Sequence, residues 1–491
     1  MIDHITGTAT VLIASLIFLF LFKIYMPPLD FPRNIPTIPF YVQFLPTLFR
    51  IDQVDVYNMY IRESMEKYGA VKFFFGSRWN ILVSKPEYLK QMFKNEDTFA
   101  KSGNQRKIPY SLIAAYTGDN VISAHGDNWK LYRSSITNGL QHYDGTPMVS
   151  NAILFCSLIK KSINSTEGTV TVGPLIQKLT LANISQIVLG FDFGTLSKEH
   201  STIHDNLLKN KKKIFNPLFL TFPFLDLLNL PQRKTGFQEV NKFREELVAT
   251  VEQELINNYK FEQTTFAASD LIRAYNNEQL NFKQLADNLT ILLVAGHENP
   301  QLALTSIFYY FGKYADTWQK RIREEVSKVS EINELYNLPL LNAFIYETLR
   351  ILPPLNIIIN RCTTETSQLG PNIVIPKNTY VGYHNFGTTH DKNVWGLRCE
   401  EFDPYRWGCD ILEIKTNWKH AKNLCKLPTF HGGKRACLGE KFANQELIIT
   451  LAESLKRFEW VINNDCSQKM TPGGPLCPAD LKLKFKCLDK D

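Results

Sequence analysis

Pairs of cysteines are missing from this sequence. Its nine cysteines, at positions 156, 362, 399, 409, 425, 437, 466, 477 and 487, are odd in number, scattered and free of any C-x-x-C spacing. That pattern argues against a disulfide framework or a zinc site and leaves most of them as inert buried thiols. A Gly/Ser tract, a long charge run and an internal repeat are also absent, so nothing in the middle of the chain marks a linker or an array. Strong charge of either sign is lacking: 55 basic and 48 acidic residues leave a net +7, too mild for a nucleic-acid binder. What is present is 491 residues, 44% hydrophobic and 12% aromatic, which suits a globular protein with a large core. Length alone suggests two to four domains of roughly 100–200 residues.

Charge is nearly absent from Ile5 to Met26, ITGTATVLIASLIFLFLFKIYM, where Lys23 is the single charged residue. A membrane-crossing helix needs about 20 apolar residues, within roughly 17–25, and Lys23 can snorkel to the interface. A cleaved signal peptide would start basic and end in small residues. This run starts after Asp3 and His4 and ends in Pro27-Pro28, so residues 1–26 are expected to be an uncleaved anchor, with 27–491 as the body. Lys23 and Arg33 follow the span and no Lys or Arg precedes it, which favours a cytoplasmic body.

The most apolar internal stretch, LTILLVAGHENPQLALTSIFYYF, puts Gly296, His297, Glu298, Asn299 and Pro300 together at its centre. The pattern predicts a core helix from Phe282 to Tyr314, about 50 Å long. Pro300 has no N–H and clashes with the carbonyl four residues back, so the helix is expected to open at Gly296.

Residues 430–440, FHGGKRACLGE, lead into KFANQELIITLAESLKRF, an amphipathic helix pattern. Cys437 therefore sits where a glycine-rich loop meets a helix N-terminus, where an anion is favoured and a thiol is expected to ionise easily. A buried cysteine beside a turn and a haem thiolate are both open readings; the phosphate-loop pattern G-x-x-x-x-G-K-[ST] is not matched. Glu347 and Arg350, in ETLR, lie three apart on one helix face. Leu349, Ile351 and Leu352 surround the pair and Pro353-Pro354 ends the helix, while an exposed ion pair of little worth is the other reading. Trp129 and Arg133, in NWKLYR, lie four apart and share a face; Arg361 stands in IINRCTT.

Phe430, Gly433, Arg435, Cys437 and Gly439 match F-x-x-G-x-R-x-C-x-G, so the chain resembles the cytochromes P450. E-x-x-R at 347–350, F-x-P-x-R-W at 402–407 and W-x-x-x-R at 129–133 extend the resemblance over everything after the anchor. It implies one mainly α catalytic domain with a small β region, despite the length. It implies haem b with Cys437 as the iron ligand, and Trp129, Arg133, Arg361 and Arg435 near the propionates. Glu347, Arg350 and Arg406 would hold the loop behind the haem. The long helix then crosses the distal face, with Ala295, Gly296, His297, Glu298 and Asn299 as the oxygen-activating set. The family pattern [AG]-G-x-[DE]-T-[TS] is broken at Asn299 and Pro300: an amide stands where most members have a threonine, and an amide is a poor acid.

AGHENPQ, with RESMEKYGAVKFFFGSRWN (62–80), FAKSGNQRKIPYS (99–111), FEQTTFAASDLIRA (261–274) and GPLCP (474–478), resembles the fungal dityrosine-forming branch of the family. That likeness implies coupling of two N-formyl-tyrosines through ortho carbons, for a spore wall or cell wall. It also implies electrons from NADPH through a flavin reductase, and single-pass residence in the endoplasmic reticulum membrane, in contact with its lipid, with the body on the cytoplasmic side. Lys415, Lys419, Lys422, Lys426, Lys434 and Lys441 would be the reductase-facing cations. A hydroxylase of lipids or sterols and a non-enzymatic haem-thiolate sensor are the competing readings.

Overall fold

The computed structural model of the chain describes residues 14–15, 18, 21–49, 51–165, 167–198, 201–258 and 263–488. Most of the expected anchor, 1–26, lies outside the described residues. Among those described, no helix is long and apolar enough to cross a membrane.

The helices that build the site are α1 (Gly126–Gln141), α2 (Thr146–Ser165), α3 (Val172–Ile184), α4 (Thr202–Ile214), α5 (Pro231–Asn258), α6 (Phe282–Lys313), α7 (Pro339–Ile351) and α8 (Glu440–Arg457). Five strands form the largest sheet: β1 (Ala70–Phe75), β2 (Arg78–Val83), β3 (Phe99–Lys101), β4 (Ile357–Thr363) and β5 (Tyr380–His384). Their order is β1-β2-β5-β4-β3, with β2 and β5 parallel and the other pairs antiparallel. The architecture is mainly helical with a small β region, as expected.

α6 is the axis of the fold. Asn281 starts it with a capping box: its side chain accepts from the Gln284 N–H while the Gln284 side chain accepts from the Asn281 N–H. Leu285 to Val294 pack into one apolar core and Ala303 to Phe311 into another. The polar run AGHENPQ falls at the junction between these two cores. α6 stays helical through Pro300 from Phe282 to Lys313, so the expected opening is confined to one lost bond: position 300 offers the Gly296 carbonyl no N–H. Gly296 has a packing reason instead. A Cβ there would lie 2.2 Å from Cδ1 of Ile184, so α3 and α6 meet at that point only because 296 has no side chain.

Candidate active site

The Cys437 loop is shaped by close backbone approach. Gly433 has φ +64°, and a Cβ on it would stand 3.1 Å from the Phe93 carbonyl oxygen; a Cβ on Gly432 would strike the Phe93 ring at 2.7 Å. The Cys437 N–H donates to the Phe430 carbonyl at 3.0 Å, closing the loop on itself. Gly439 follows, its N–H donating to the Cys437 sulfur, and α8 begins at Glu440.

Cys437 lies deep in the protein, yet its thiol is open to a cavity of about 310 Å³. Trp129, Arg133, Ala295, Gly296, Asn299 and Pro300 are part of that cavity's wall. A pocket of about 430 Å³ between Tyr143, Phe191 and Phe266 holds none of these residues. Burial pushes the Cys437 thiol up, against the pull of the Gly439 N–H, Arg133 and Lys422. The expected easy ionisation is therefore not a property of the loop by itself. Desolvation outweighs the helix end, and a bound metal ion is what deprotonates a thiol so placed.

Arg133 and Arg435 line this cavity; Arg361 does not, but it is close enough for its charge to act on Arg435. Arg361 is 1% exposed; one of its terminal nitrogens donates to the Phe99 carbonyl at 2.7 Å, while its Nε and Nη2 have no acceptor among the described residues. Arg435 stacks over Trp129 at 4.3 Å, its Nε 2.7 Å from Glu96 Oε1 but off the N–H axis, and its Nη1 has no acceptor among the described residues. Burial pulls both guanidiniums down to about 10, with Glu96 opposing. Sequence reasoning missed a further cation, Lys101. It lines the cavity and is the cross-strand partner of Arg361, with its Nζ 3.2 Å from His431 Nε2. Like charges opposite each other on neighbouring strands are unfavourable, and burial drives the Lys101 ammonium down, with Arg361 and Arg435 adding to it. Glu96 is the carboxylate that faces this group. Buried cations with unspent donors beside an open thiol fit a haem with two propionates: Cys437 would hold the iron, and Arg361, Arg435, Lys101, Trp129 and Arg133 the acid groups.

Behind the loop, Glu347 is fully buried. Arg350 donates to both of its oxygens, at 2.9 and 2.7 Å. The Asp403 N–H at 3.0 Å, Trp407 Nε1 at 3.2 Å and Arg406 Nε at 3.4 Å complete its shell. Arg350 in turn donates to the carbonyls of Thr389, Cys399 and Glu401. The carboxylate thus ties α7 to the segment at 399–407.

The expected oxygen-activating set is divided by the structure. Ala295, Gly296 and Asn299 line the cavity; His297 and Glu298 do not. His297 is buried, with Nδ1 2.6 Å from the Leu293 carbonyl, and burial holds it neutral, down to about 4. Glu298 reaches sideways to Lys211 on α4.

A profile of the cytochrome P450 family matches residues 36–485. The chain belongs to the cytochrome P450 family, whose members carry a thiolate-ligated haem. It is 60% identical over 464 residues to Cytochrome P450-DIT2 of Saccharomyces cerevisiae, spanning 94% of this chain and 95% of that one. It is 35% identical over 462 residues to Cytochrome P450 monooxygenase xanG of Aspergillus fumigatus, spanning 91% and 85%. Cytochrome P450 94A1 of Vicia sativa shares 24% over 454 residues.

Proposed function

We propose that this P450 couples two N-formyl-tyrosine molecules through their ortho carbons, giving N,N'-bisformyl-dityrosine for a spore wall or cell wall. The observation that carries the reading is Asn299. An amide lines the cavity where the family pattern has an alcohol, and coupling is the reaction in which oxygen need not enter the product. The 60% identity to Cytochrome P450-DIT2 across nearly both chains and the likeness of AGHENPQ to the dityrosine-forming branch support the same choice.

Bound haem supplies the reduction of dioxygen and the removal of hydrogen from the phenols. The balance is two phenols, one dioxygen, two electrons and two protons, giving one dimer and two waters. The electrons come from NADPH through a flavin reductase. The chain's own part is to place and to protonate. Ala295, Ala303, Ile291 and Leu355 give apolar wall for the rings. Asn299 can donate or accept a hydrogen bond beside them. Glu298, held at Lys211 and next to Asn299 in the chain, acts as its proton carrier.

An N-terminal anchor in the endoplasmic reticulum membrane completes the proposal, with the catalytic domain facing the cytoplasm. Support comes from the apolar run at 5–26 and from Leu218, Leu220, Leu227 and Leu228, which are exposed in the segment after α4. Phe44 stacks on Phe222 at 5.7 Å, bringing the N-terminal region against that segment. Removing residues 1–26 should release much of the protein from membranes with haem still bound.

The decisive experiment is turnover of N-formyl-tyrosine with reductase, NADPH and labelled dioxygen, followed by mass spectrometry. A C–C dimer free of label is expected. Labelled monomeric hydroxytyrosine as the main product would refute coupling.

A further inference from the structure

The first hairpin and the segment after β3 bring two cations together just below the surface. Gly76 and Ser77 both have positive φ, 58° and 59°, and make the tight turn between β1 and β2. Arg78 leaves that turn as the first residue of β2, and its Nη2 donates to the Lys107 carbonyl at 2.6 Å. The Arg78 Nε is buried and has no acceptor among the described residues. Lys107 is 8% exposed, and its ammonium makes no hydrogen bond or ion pair among the described residues. It lies over two rings instead, 5.2 Å from the centroid of Tyr380 and 6.0 Å from that of Phe75. The Arg78 guanidinium lies over the same Tyr380 ring at 4.9 Å.

Burial pulls the Lys107 ammonium down to about 7, Arg78 adds to the effect, and Cys362 opposes it; no carboxylate among the described residues acts on the group. Two cations sharing a desolvated place repel, and an aromatic face offsets only part of that cost. An anion would complete the arrangement.

The position says which anion. The Tyr380 hydroxyl is 3.0 Å from Ser102 Oγ, and the Ser102 N–H donates to the Asn360 carbonyl at 2.9 Å. Asn360 and Lys101 are part of the cavity wall over Cys437. On the other side Ser77 Oγ donates to the Thr221 carbonyl at 2.8 Å, so the exposed apolar segment after α4 borders the same place. The two cations are linked on one side to the cavity wall, through Tyr380, Ser102 and Asn360, and on the other to the exposed segment after α4.

We propose that Arg78 and Lys107 form a carboxylate-binding site beside the cavity wall that selects N-acylated aromatic amino acids. This rests on the substrate reading above and deepens it. N-acylation leaves the carboxylate and removes the ammonium of an amino acid. A site with two cations and no acid accepts the first group and would repel the second, so free tyrosine is disfavoured on charge alone.

The test uses the full haem-loaded chain in detergent, with binding read from the shift of the haem absorption band and checked by calorimetry. N-formyl-tyrosine is compared with its neutral amide, and 3-(4-hydroxyphenyl)propionate with its amide. In the unaltered protein each acid should bind about 10- to 100-fold tighter than its amide, the range of one or two charge-assisted contacts. Lys107→Met and Arg78→Met should each collapse that preference toward one while the amides bind as before, and Lys107→Arg should retain it. Haem content reports whether each variant folds. An acid preference that both methionine variants retain, or its absence from the unaltered protein, overturns the site. A protein that prefers acids through Lys107 but forms no C–C dimer refutes the coupling reading and leaves the site standing.

Discussion

Lys211 Nζ lies 2.8 Å from Glu298 Oε1. One residue comes from α4 and the other from the middle of α6, and each is about a quarter exposed. The acid next to Asn299 is therefore held by a neighbouring helix that does not line the cavity, and its side chain is in touch with water. In this arrangement the Glu298 carboxylate is turned away from the cavity, which neither it nor Lys211 lines.

Glu298→Gln keeps the shape of that side chain and removes its proton. Dimer formation should fall by roughly 10²- to 10⁴-fold, the usual contribution of general acid–base help, with the reduced carbon monoxide spectrum unchanged. Lys211→Met removes the partner and leaves the acid, so its effect should be the smaller of the two. A Glu298→Gln variant at full rate would exclude the residue as proton carrier.

Cys437→Ala should abolish the absorption band diagnostic of thiolate-ligated haem in the reduced, carbon monoxide-bound protein. Cys425→Ala should leave it, because Cys425 is buried in a separate apolar core and does not line the cavity. The reverse result would displace the axial ligand from the loop at 430–440.

Glu347→Ala should destabilise the protein by about 3–5 kcal/mol, since it leaves the buried Arg350 guanidinium without its carboxylate. Denaturant unfolding of the haem-loaded protein measures this. Arg350→Lys should also fail to restore stability, because an ammonium cannot reproduce the two-pronged contact with Glu347 together with three carbonyls. Near-normal stability in either variant would make the pair dispensable.

Burial pushes the Glu446 carboxyl up to about 8, while the Asn183 amide donating to its Oε1 at 2.7 Å pulls the other way. The folded protein therefore holds a proton there that the unfolded chain releases near the ordinary carboxyl value of about 4.3. Its contribution to stability is fully present below that value and is lost as pH rises to about 8. Relative to Glu446→Gln, the unaltered protein should lose melting temperature progressively across that window. Parallel stability curves would place the Glu446 titration elsewhere.

Features written locally in the chain were legible in the sequence. The Cys437 loop and the Glu347–Arg350 pair depend on neighbours within a turn or two, so spacing carried them. Lys101 was not legible, because its role comes from the pairing of β3 with β4, far apart in the chain. Lys211 and Glu96 were missed for the same reason. The division of the α6 polar run was available in principle: 295, 299 and 303 fall four apart on one stripe, and 297 does not. The thiol expectation failed because a helix end was weighed without the desolvation that accompanies a deep site.

The contact between Gly296 and Ile184 makes the height of the reaction chamber a matter of carpentry. Two beams touch at a notch with no slack, and one of them carries the ceiling. Residue 184 is itself part of the wall, so its bulk bears directly on the largest guest the chamber admits, without altering any polar group that meets it. Shaving that side chain would raise the ceiling; adding a methyl at 296 would push the end of the Ile184 side chain aside, toward the space the guest needs.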